Sequence, residues 1–149
     1  VVMTPKSMLR HKLSVSRMED LVNGSFLELI PDSSCKAPAK ATRVVVCAGK
    51  VYYDLLEAAT EKKLTDAAIV RVEQLYPFPR EALQAELARF PNAKDVFWCQ
   101  EEPQNQGAWY QIQHHLRSCI GDARTLHYAG RARFADALVN PGKRDFTHE

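Results

Sequence analysis

The sequence predicts an α/β domain of three layers, in which a mostly parallel sheet carries helices on both faces. Short runs of β-branched and apolar residues alternate along the chain with segments of helical periodicity. The turns between these segments are short, and such alternation is typical of parallel sheets that are buried on both sides.

The first part of the chain is predicted to be a connector that leads into this domain. Residues 1–5 have the pattern of a strand that ends at a proline, so we expect the chain to be a piece of a longer protein. Met18, Leu21 and Val22 favour a short helix, and residues 25–31 contain a strand candidate. Residues 32–42 have the composition of a loop.

The regular elements of the domain follow in strand–helix order. Four strands are predicted from β-branched and apolar runs, at residues 43–48, 67–72, 95–100 and 125–129. Three helices are predicted from apolar residues at helical spacing, at residues 51–64, 80–90 and 108–120. Asn105 is the expected N-cap of the last helix, and Trp109, near its start, is expected to be buried.

The composition limits the classes of partner. The chain has 149 residues, of which 46% are apolar and 26% charged, and its formal net charge is +2. This size fits one globular domain that needs neither disulfide nor metal in order to fold. No apolar run approaches the ~18 residues of a membrane span, and the balanced charge gives no electrostatic case for nucleic acid. We therefore expect neither a membrane nor a nucleic acid as partner.

Three loops follow the carboxyl ends of the predicted strands, where parallel sheets carry their functional edge. These loops are residues 48–50, 73–79 and 101–107. Gly49 and Lys50 precede a helix and form either a phosphate-binding turn or a plain turn with an exposed lysine. Glu101 and Glu102 are adjacent, so they are expected to face opposite ways rather than to form a paired acid–base device. We interpret their loop as a buried turn whose polar groups satisfy the backbone.

Cysteines and histidines indicate no metal site. The four cysteines contain no C-x-x-C pair and are interpreted as free thiols, with Cys47 and Cys99 inside apolar strands. His114 and His115 are adjacent on a predicted helix and are expected to point to different faces. No serine-nucleophile elbow, phosphate-binding P-loop or EF-hand pattern occurs, so no self-sufficient catalytic set is predicted.

Several longer motifs resemble a known family. They occupy residues 4–11, 49–55, 69–79, 98–109 and 128–131. The fourth of them is Trp-Cys-Gln-Glu-Glu-Pro-Gln-Asn-Gln-Gly-Ala-Trp. Over residues 1–131 the chain resembles the carboxyl-terminal part of the E1 component of 2-oxoglutarate dehydrogenase, a thiamine diphosphate family with a transketolase-like fold.

The resemblance implies a homodimeric whole enzyme that depends on thiamine diphosphate and magnesium. Such an enzyme decarboxylates 2-oxoglutarate and passes the succinyl group to the lipoyl arm of the E2 component, in the bacterial cytoplasm or the mitochondrial matrix. The family's catalytic, cofactor and metal residues lie outside the part that this chain matches, so none is assigned here. We expect the chain alone to be inactive, to bind none of these cofactors, and to serve as a scaffold for the dimer and the active-site rim.

The same resemblance divides the chain into a connector (residues 1–24), a transketolase C-terminal-like domain (25–131) and an atypical tail (132–149). The connector would come from a preceding pyrimidine-binding domain, so the upstream domains of the same subunit are expected partners. The tail lacks the Pro-Ala-Ser-rich segment and the final helix that are usual in the family.

Two alternative functions stay open. Some relatives bind an acyl-CoA near the segment that matches residues 73–80, and a regulatory CoA or nucleotide site here would use Lys50, Gln74 and Arg80. The two residues after Arg80 are not basic, although basic residues are expected there. The other alternative is an E1 component that acts on 2-oxoadipate, because the substrate-selecting residues would lie elsewhere.

Overall fold

The computed structural model describes residues 5–131 and contains a five-stranded sheet in the order β1-β3-β2-β4-β5. The strands are β1 Leu29–Ile30, β2 Arg43–Cys47, β3 Ala67–Val72, β4 Asp95–Pro103 and β5 Thr125–Arg131. Strand β2 is parallel to β3 and β4, and β4 is parallel to β5, while β1 pairs antiparallel with β3 at one edge. The prediction of a mostly parallel sheet is confirmed.

Helices make the crossovers between the parallel strands. Within residues 5–131 the four α-helices are α1 Met18–Asn23, α2 Val51–Glu61, α3 Arg80–Ala88 and α4 Trp109–Ile120. Short 3-10 helices lie at Lys6–Arg10 and Pro38–Lys40. Helix α2 leads from β2 to β3, α3 from β3 to β4, and α4 from β4 to β5. Parallel strands need such connections, since a tight turn cannot bring the chain back to the same end of the sheet.

The buried side chains form two groups on opposite faces of the sheet. The larger group joins strand residues to α3 and α4 and includes Val44, Val46, Trp98, Leu83 and Leu116. The smaller group lies under α2 and includes Cys47, Ile69 and Cys99, with Leu55 packed against them. Successive residues of a strand point to opposite faces, so a continuous apolar run such as β2 supplies both groups. The three-layer arrangement is therefore confirmed.

A buried aspartate continues the sheet edge beyond β1. Asp32 Oδ2 accepts a hydrogen bond from the backbone nitrogen of Ile69 at 2.9 Å. Its Oδ1 accepts bonds from the backbone nitrogens of Ser34 at 2.8 Å and Cys35 at 3.0 Å. The Asp32 backbone nitrogen in turn donates to Glu86 of α3 at 3.2 Å. The Asp32 side chain thus ties the loop after β1 to the sheet, and its backbone nitrogen ties the loop to α3.

Four strands differ from the prediction in their boundaries. Strand β2 ends at Cys47, one residue before the predicted end, and β5 continues to Arg131, two residues beyond it. Strand β4 extends to Pro103, because Pro103 pairs with Arg131 of β5 after a shift in register. The strand predicted within residues 25–31 is limited to Leu29–Ile30, which pairs with the end of β3 before Asp32 takes over the edge.

The helix boundaries also differ. Helix α4 begins at Trp109 with Ala108 as N-cap, and no side chain caps it, so the predicted cap at Asn105 is wrong. Helix α2 ends at Glu61, ahead of residue 64, and Lys63 then takes a positive φ of 52°. The tail at residues 132–149 and the predicted strand end at residues 1–4 lie outside the described residues, and the division into connector, domain and tail stays a prediction.

Candidate functional site at the carboxyl edge of the sheet

A groove of about 790 Å³ lies at the carboxyl ends of β2, β3 and β4, beside the loops that the sequence singles out. Its floor includes Val72, Trp98 and Gln100, and the first two turns of α4 form one wall. Tyr76, whose side chain is 91% exposed, stands on the opposite rim. Location at this edge follows from the parallel topology.

The floor of the groove is organised by the buried amide of Gln100. Its Oε1 accepts a hydrogen bond from Trp98 Nε1 at 2.9 Å and another from the backbone nitrogen of Trp109 at 3.1 Å. Its Nε2 lies 3.1 Å from the carbonyl oxygen of Pro103 and 2.8 Å from that of Gln106, to which it donates. We call these contacts the Gln100 network. They hold both ends of the 101–107 loop, as expected of a turn whose backbone is satisfied by polar side chains. Most of the loop is exposed, however, so its predicted burial is wrong.

Gly107 lets the loop close tightly around this network. Its φ is +67°, in the left-handed region, and an added Cβ would lie 3.0 Å from Gln100 Nε2 and 3.0 Å from Glu102 Cβ. Trp109 follows and is only 6% exposed, with its ring centroid 5.2 Å from that of Tyr128. The predicted burial of Trp109 is confirmed.

Lys50 faces a carboxylate rather than an open anion site. Its Nζ lies 2.6 Å from Glu101 Oε1, and this contact raises the pKa of Lys50. Glu102 turns toward Gly107 instead, so the two adjacent glutamates diverge as expected. The charge of the lysine is balanced within the chain, and Glu101 and Glu102 do not form a carboxylate pair.

Gln74 and Arg80 are likewise engaged within the chain. Gln74 Nε2 donates to the carbonyl oxygen of Pro77 at 2.9 Å and so braces the loop after β3. Arg80 donates to Ser118 Oγ of α4 at 2.8 Å and contacts His115 Nδ1. Arg80 lines a separate cavity of about 310 Å³, whereas Lys50 and Gln74 line neither that cavity nor the groove. Lys50, Gln74 and Arg80 therefore share neither of these two cavities.

Arg71 is a charged residue at this edge that the sequence analysis missed. Its guanidinium carbon lies 4.4 Å from the ring centroid of Tyr52, and its Nε lies 3.3 Å from Glu73 Oε1. Its Nη1 donates a hydrogen bond to the hydroxyl oxygen of Tyr53 at 3.4 Å. An arginine inside an otherwise apolar strand was the available signal, but a strand pattern alone does not show that two tyrosines of the preceding helix α2 contact it.

The thiols are not set up as nucleophiles. All four cysteines are free, and Cys47 and Cys99 are buried as predicted. Burial raises the pKa of Cys47 to about 12 and that of Cys99 to about 11. A thiolate is the reactive form of cysteine, so these two thiols are held in their unreactive state.

The two adjacent histidines are closer than predicted. His114 and His115 both line the groove, and their ring centroids lie 3.8 Å apart, so the expectation of different faces is wrong. Desolvation, together with the nearby His114 and Arg80, lowers the pKa of His115. Stacking on Phe78, at a centroid distance of 5.1 Å, fixes this ring against the loop after β3.

The part of the chain that the structure describes holds no candidate metal centre. Within residues 5–131, no group of three or more His, Cys, Asp or Glu side chains is placed to hold a metal ion. These residues therefore do not fit the magnesium ion that the family resemblance implies, and we assign them no step of a reaction. None of the helices in the same range has the length and apolar character needed to cross a bilayer.

Comparison with known proteins identifies the family. The family described as "2-oxoglutarate dehydrogenase C-terminal" matches residues 15–146, which extends past the last described residue. A 2-oxoglutarate dehydrogenase E1 component of Coxiella burnetii is 56% identical over 137 residues, which is 91% of this chain and 15% of that protein. The same-named protein of Cupriavidus necator is 49% identical over 93% of this chain and 15% of its own length.

A third relative, the 2-oxoglutarate dehydrogenase E1 component of Azotobacter vinelandii, is 52% identical over 88% of this chain and 14% of its own length. The chain thus spans about 15% of the length of the curated relatives it matches. Both the extent of the family match and the identity to these relatives lead to one conclusion: the chain belongs to the 2-oxoglutarate dehydrogenase C-terminal family.

Proposed function

We propose that this chain is the carboxyl-terminal scaffold of an E1 subunit that oxidatively decarboxylates 2-oxoglutarate and transfers the succinyl group to a lipoyl group of E2. Support comes from relatives named 2-oxoglutarate dehydrogenase E1 component that match nearly the whole chain. The whole enzyme would use thiamine diphosphate and magnesium bound by other parts of the subunit. A second E1 subunit and the E2 succinyltransferase would be its partners.

The Gln100 network is the observation that carries the scaffold role. Within the 98–109 motif, Gln100 bonds to the indole of Trp98 and to the backbone of Pro103 and Trp109, and Glu101 pairs with Lys50. A site that performs chemistry instead aims its titratable groups at a place where substrate can lie. We infer that this motif sets the shape of the sheet edge and that the reacting groups belong to the rest of the subunit.

The proposed function is tested by turnover of the full-length subunit. We expect release of CO₂ from 2-oxoglutarate with thiamine diphosphate and magnesium, and transfer to a lipoyl domain of E2. A clear preference for 2-oxoadipate would favour the related E1 activity, and no turnover of either 2-oxo acid would reject the proposal. The cytoplasm is the compartment proposed for a bacterial subunit of this kind.

A regulatory site for a CoA or nucleotide phosphate is a second proposal. It is favoured by the placement of Lys50, Gln74 and Arg80, which all follow the carboxyl ends of the adjacent strands β2 and β3. A ligand phosphate would have to displace Glu101 from Lys50 and His115 from Arg80. The proposal therefore predicts weak binding that depends strongly on salt.

Calorimetric titration of the full subunit with acetyl-CoA and with AMP tests this second proposal. Saturable binding that is lost in Lys50→Ala and Arg80→Ala would support it, with Arg117→Ala on the exposed side of α4 as the matched control. Absence of binding heat at millimolar ligand, or binding that Arg117→Ala weakens equally, would reject it.

A further inference from the structure

His115 lies at the boundary between the groove and the smaller cavity beside it. Its side chain lines the groove, whereas Phe78 and Arg80 line the cavity of about 310 Å³. The imidazole contacts both of these residues: Nδ1 meets Nη2 of Arg80, and the ring stacks on Phe78 at a centroid distance of 5.1 Å. We call these two contacts the His115 latch. They join α4 to the corner at which the loop after β3 leads into α3.

The contact between Arg80 and His115 requires a neutral imidazole. A guanidinium has N–H donors and no acceptor, so Nδ1 of His115 has to present its lone pair to Arg80. The neutral ring then carries its proton on Nε2. A proton on Nδ1 would remove the acceptor, set one N–H against another and place two positive charges side by side. Proton uptake by His115 therefore breaks its contact with Arg80.

The surroundings of His115 oppose a positive charge on its ring. Desolvation, the neighbouring His114 and Arg80 all lower the pKa of His115. Within residues 5–131, no carboxylate forms an ion pair with Arg80, His114 or His115, and the ion pair of Glu73 is with Arg71. The other ionisable side chains that line the two spaces or contact Arg80 are Glu28, Glu73, Tyr76, Glu81, Glu102 and Cys119.

We infer that His115 is a proton-operated latch, which is closed while its ring is neutral and opens when the ring takes up a proton. Opening separates Arg80 from His115 and loosens the corner between the loop after β3 and α3, so the groove and the cavity become connected. Histidine suits this role because its charge changes between about pH 5 and pH 8. Ser118 Oγ, which accepts a hydrogen bond from Arg80 at 2.8 Å, keeps the movement local to this corner. The inference goes beyond the proposed function and does not depend on it.

Hydrogen exchange of the full-length subunit between about pH 7.5 and pH 5.5 tests the His115 latch. Residues 80–83 report on the corner, because the amides of Arg80 and Leu83 donate to the carbonyl oxygens of Phe78 and Pro79. After correction for the intrinsic effect of pH on amide exchange, we expect residues 80–83 to exchange at least about threefold faster at the lower pH. Strand β2 should show no such change. Equal corrected rates at the two pH values would overturn the inference.

Two variants show whether His115 is the group that titrates. His115→Asn keeps an oxygen acceptor for Arg80 but takes up no proton in this range, so the response of residues 80–83 to pH should be lost. His127→Asn is the matched control, because His127 pairs with Asp95 at the opposite end of the sheet order, on β5 and β4. It should keep the response. A response that persists in His115→Asn would overturn the inference.

Exchange of the carbon-bound ring hydrogen of each histidine, followed by mass spectrometry, gives a test in the wild-type subunit. We expect the half-point of His115 to lie below the ordinary histidine pKa of 6.5. Arg80→Gln keeps an N–H donor for Nδ1 but removes the positive charge, so the half-point should move upward. A wild-type half-point at or above 6.5, or one that Arg80→Gln leaves unmoved, would overturn the inference.

Discussion

The side-chain oxygen Oε1 of Gln100 lies 3.1 Å from the backbone nitrogen of Trp109, nine positions later in the sequence, and accepts its hydrogen bond. The same oxygen accepts the indole N–H of Trp98 at 2.9 Å. A strand end and a helix start are thereby held by one buried amide. Because the start of α4 has no side-chain cap, this tertiary bond replaces a local one.

The first prediction concerns Gln100 itself. Gln100→Ala leaves the indole N–H of Trp98 and the amide of Trp109 without their acceptor in a buried place, so the free energy of unfolding should fall by about 2–5 kcal/mol. Urea denaturation of the chain measures the change, with the exposed Gln84→Ala on α3 as control. Equal stability of the two variants would mean that the Gln100 network is not formed.

Two glycines allow the stability cost of a left-handed backbone to be measured apart from the cost of steric crowding. Gly107 and Gly49 both have positive φ, but an added Cβ meets Gln100 and Glu102 only at Gly107, while nothing lies within 4 Å at Gly49. Gly49→Ala should lose roughly 1–2 kcal/mol from the left-handed conformation alone. Gly107→Ala should lose about 1–3 kcal/mol more from overpacking. Thermal unfolding of both variants gives the difference, and a larger loss at Gly49 would contradict the described turn.

Trp109 and Tyr110 are adjacent aromatic residues of α4 that differ in burial, so the second serves as a control for the first. The indole is 6% exposed, whereas Tyr110 is 45% exposed. Trp109→Ala should lower the free energy of unfolding by ~3–5 kcal/mol through the cavity it leaves. Tyr110→Ala should change it by less than half as much. A loss below ~1 kcal/mol for Trp109→Ala would place the indole in solvent.

Asp32 allows a test of the sheet edge. Asp32→Ala removes the acceptor of the Ile69, Ser34 and Cys35 amides, which should lower the free energy of unfolding by about 2–4 kcal/mol. The exposed Asp122→Ala serves as control. In hydrogen exchange, the amide of Ile69 should lose its protection in the Asp32 variant only. Retained protection would show that another group holds this edge.

The raised pKa values of the two buried thiols lead us to expect that the free energy of unfolding depends on pH in the alkaline range. The pKa of Cys47 rises from 9.0 to about 12 and that of Cys99 from 9.0 to about 11 on folding, chiefly through desolvation. The unfolded state therefore releases thiol protons first, so this stability is complete below pH 9 and is lost as the pH rises toward the folded values. Cys47→Ala should reduce the slope of unfolding free energy against pH between 9 and 12, with Cys35→Ala as the control substitution. An unchanged slope would contradict the burial of Cys47. Tyr128, whose pKa burial raises to about 12, accounts for part of the slope that remains.

The sequence was sufficient to predict the strands and helices whose patterns are local. Strand β2 is a β-branched run buried on both faces, and α2 has apolar residues at helical spacing. The cap of α4 was not predictable in this way, because the Trp109 amide bonds to a side chain on β4. The extension of β4 likewise depends on pairing between Pro103 and Arg131, which are far apart in the sequence.

The position of the candidate site was predictable from the sequence, but the hydrogen bonds and ion pairs between its side chains were not. Parallel topology places the loops after β2, β3 and β4 at one edge, and the groove lies there. The sequence did not predict which residue each polar side chain contacts. Lys50 bonds Glu101, and Arg80 reaches His115 on α4, through contacts that only the packed helices create. Adjacent histidines on a helix were expected to diverge, yet both rings reach the groove.

The central claim is that this chain is a scaffold of a larger 2-oxo acid decarboxylase and performs no chemistry itself. Release of CO₂ from 2-oxoglutarate, with thiamine diphosphate and magnesium present, tests it when the full-length subunit and the 149-residue chain are measured side by side. The account predicts release by the full subunit and none by the chain alone. Release by the isolated chain would contradict it.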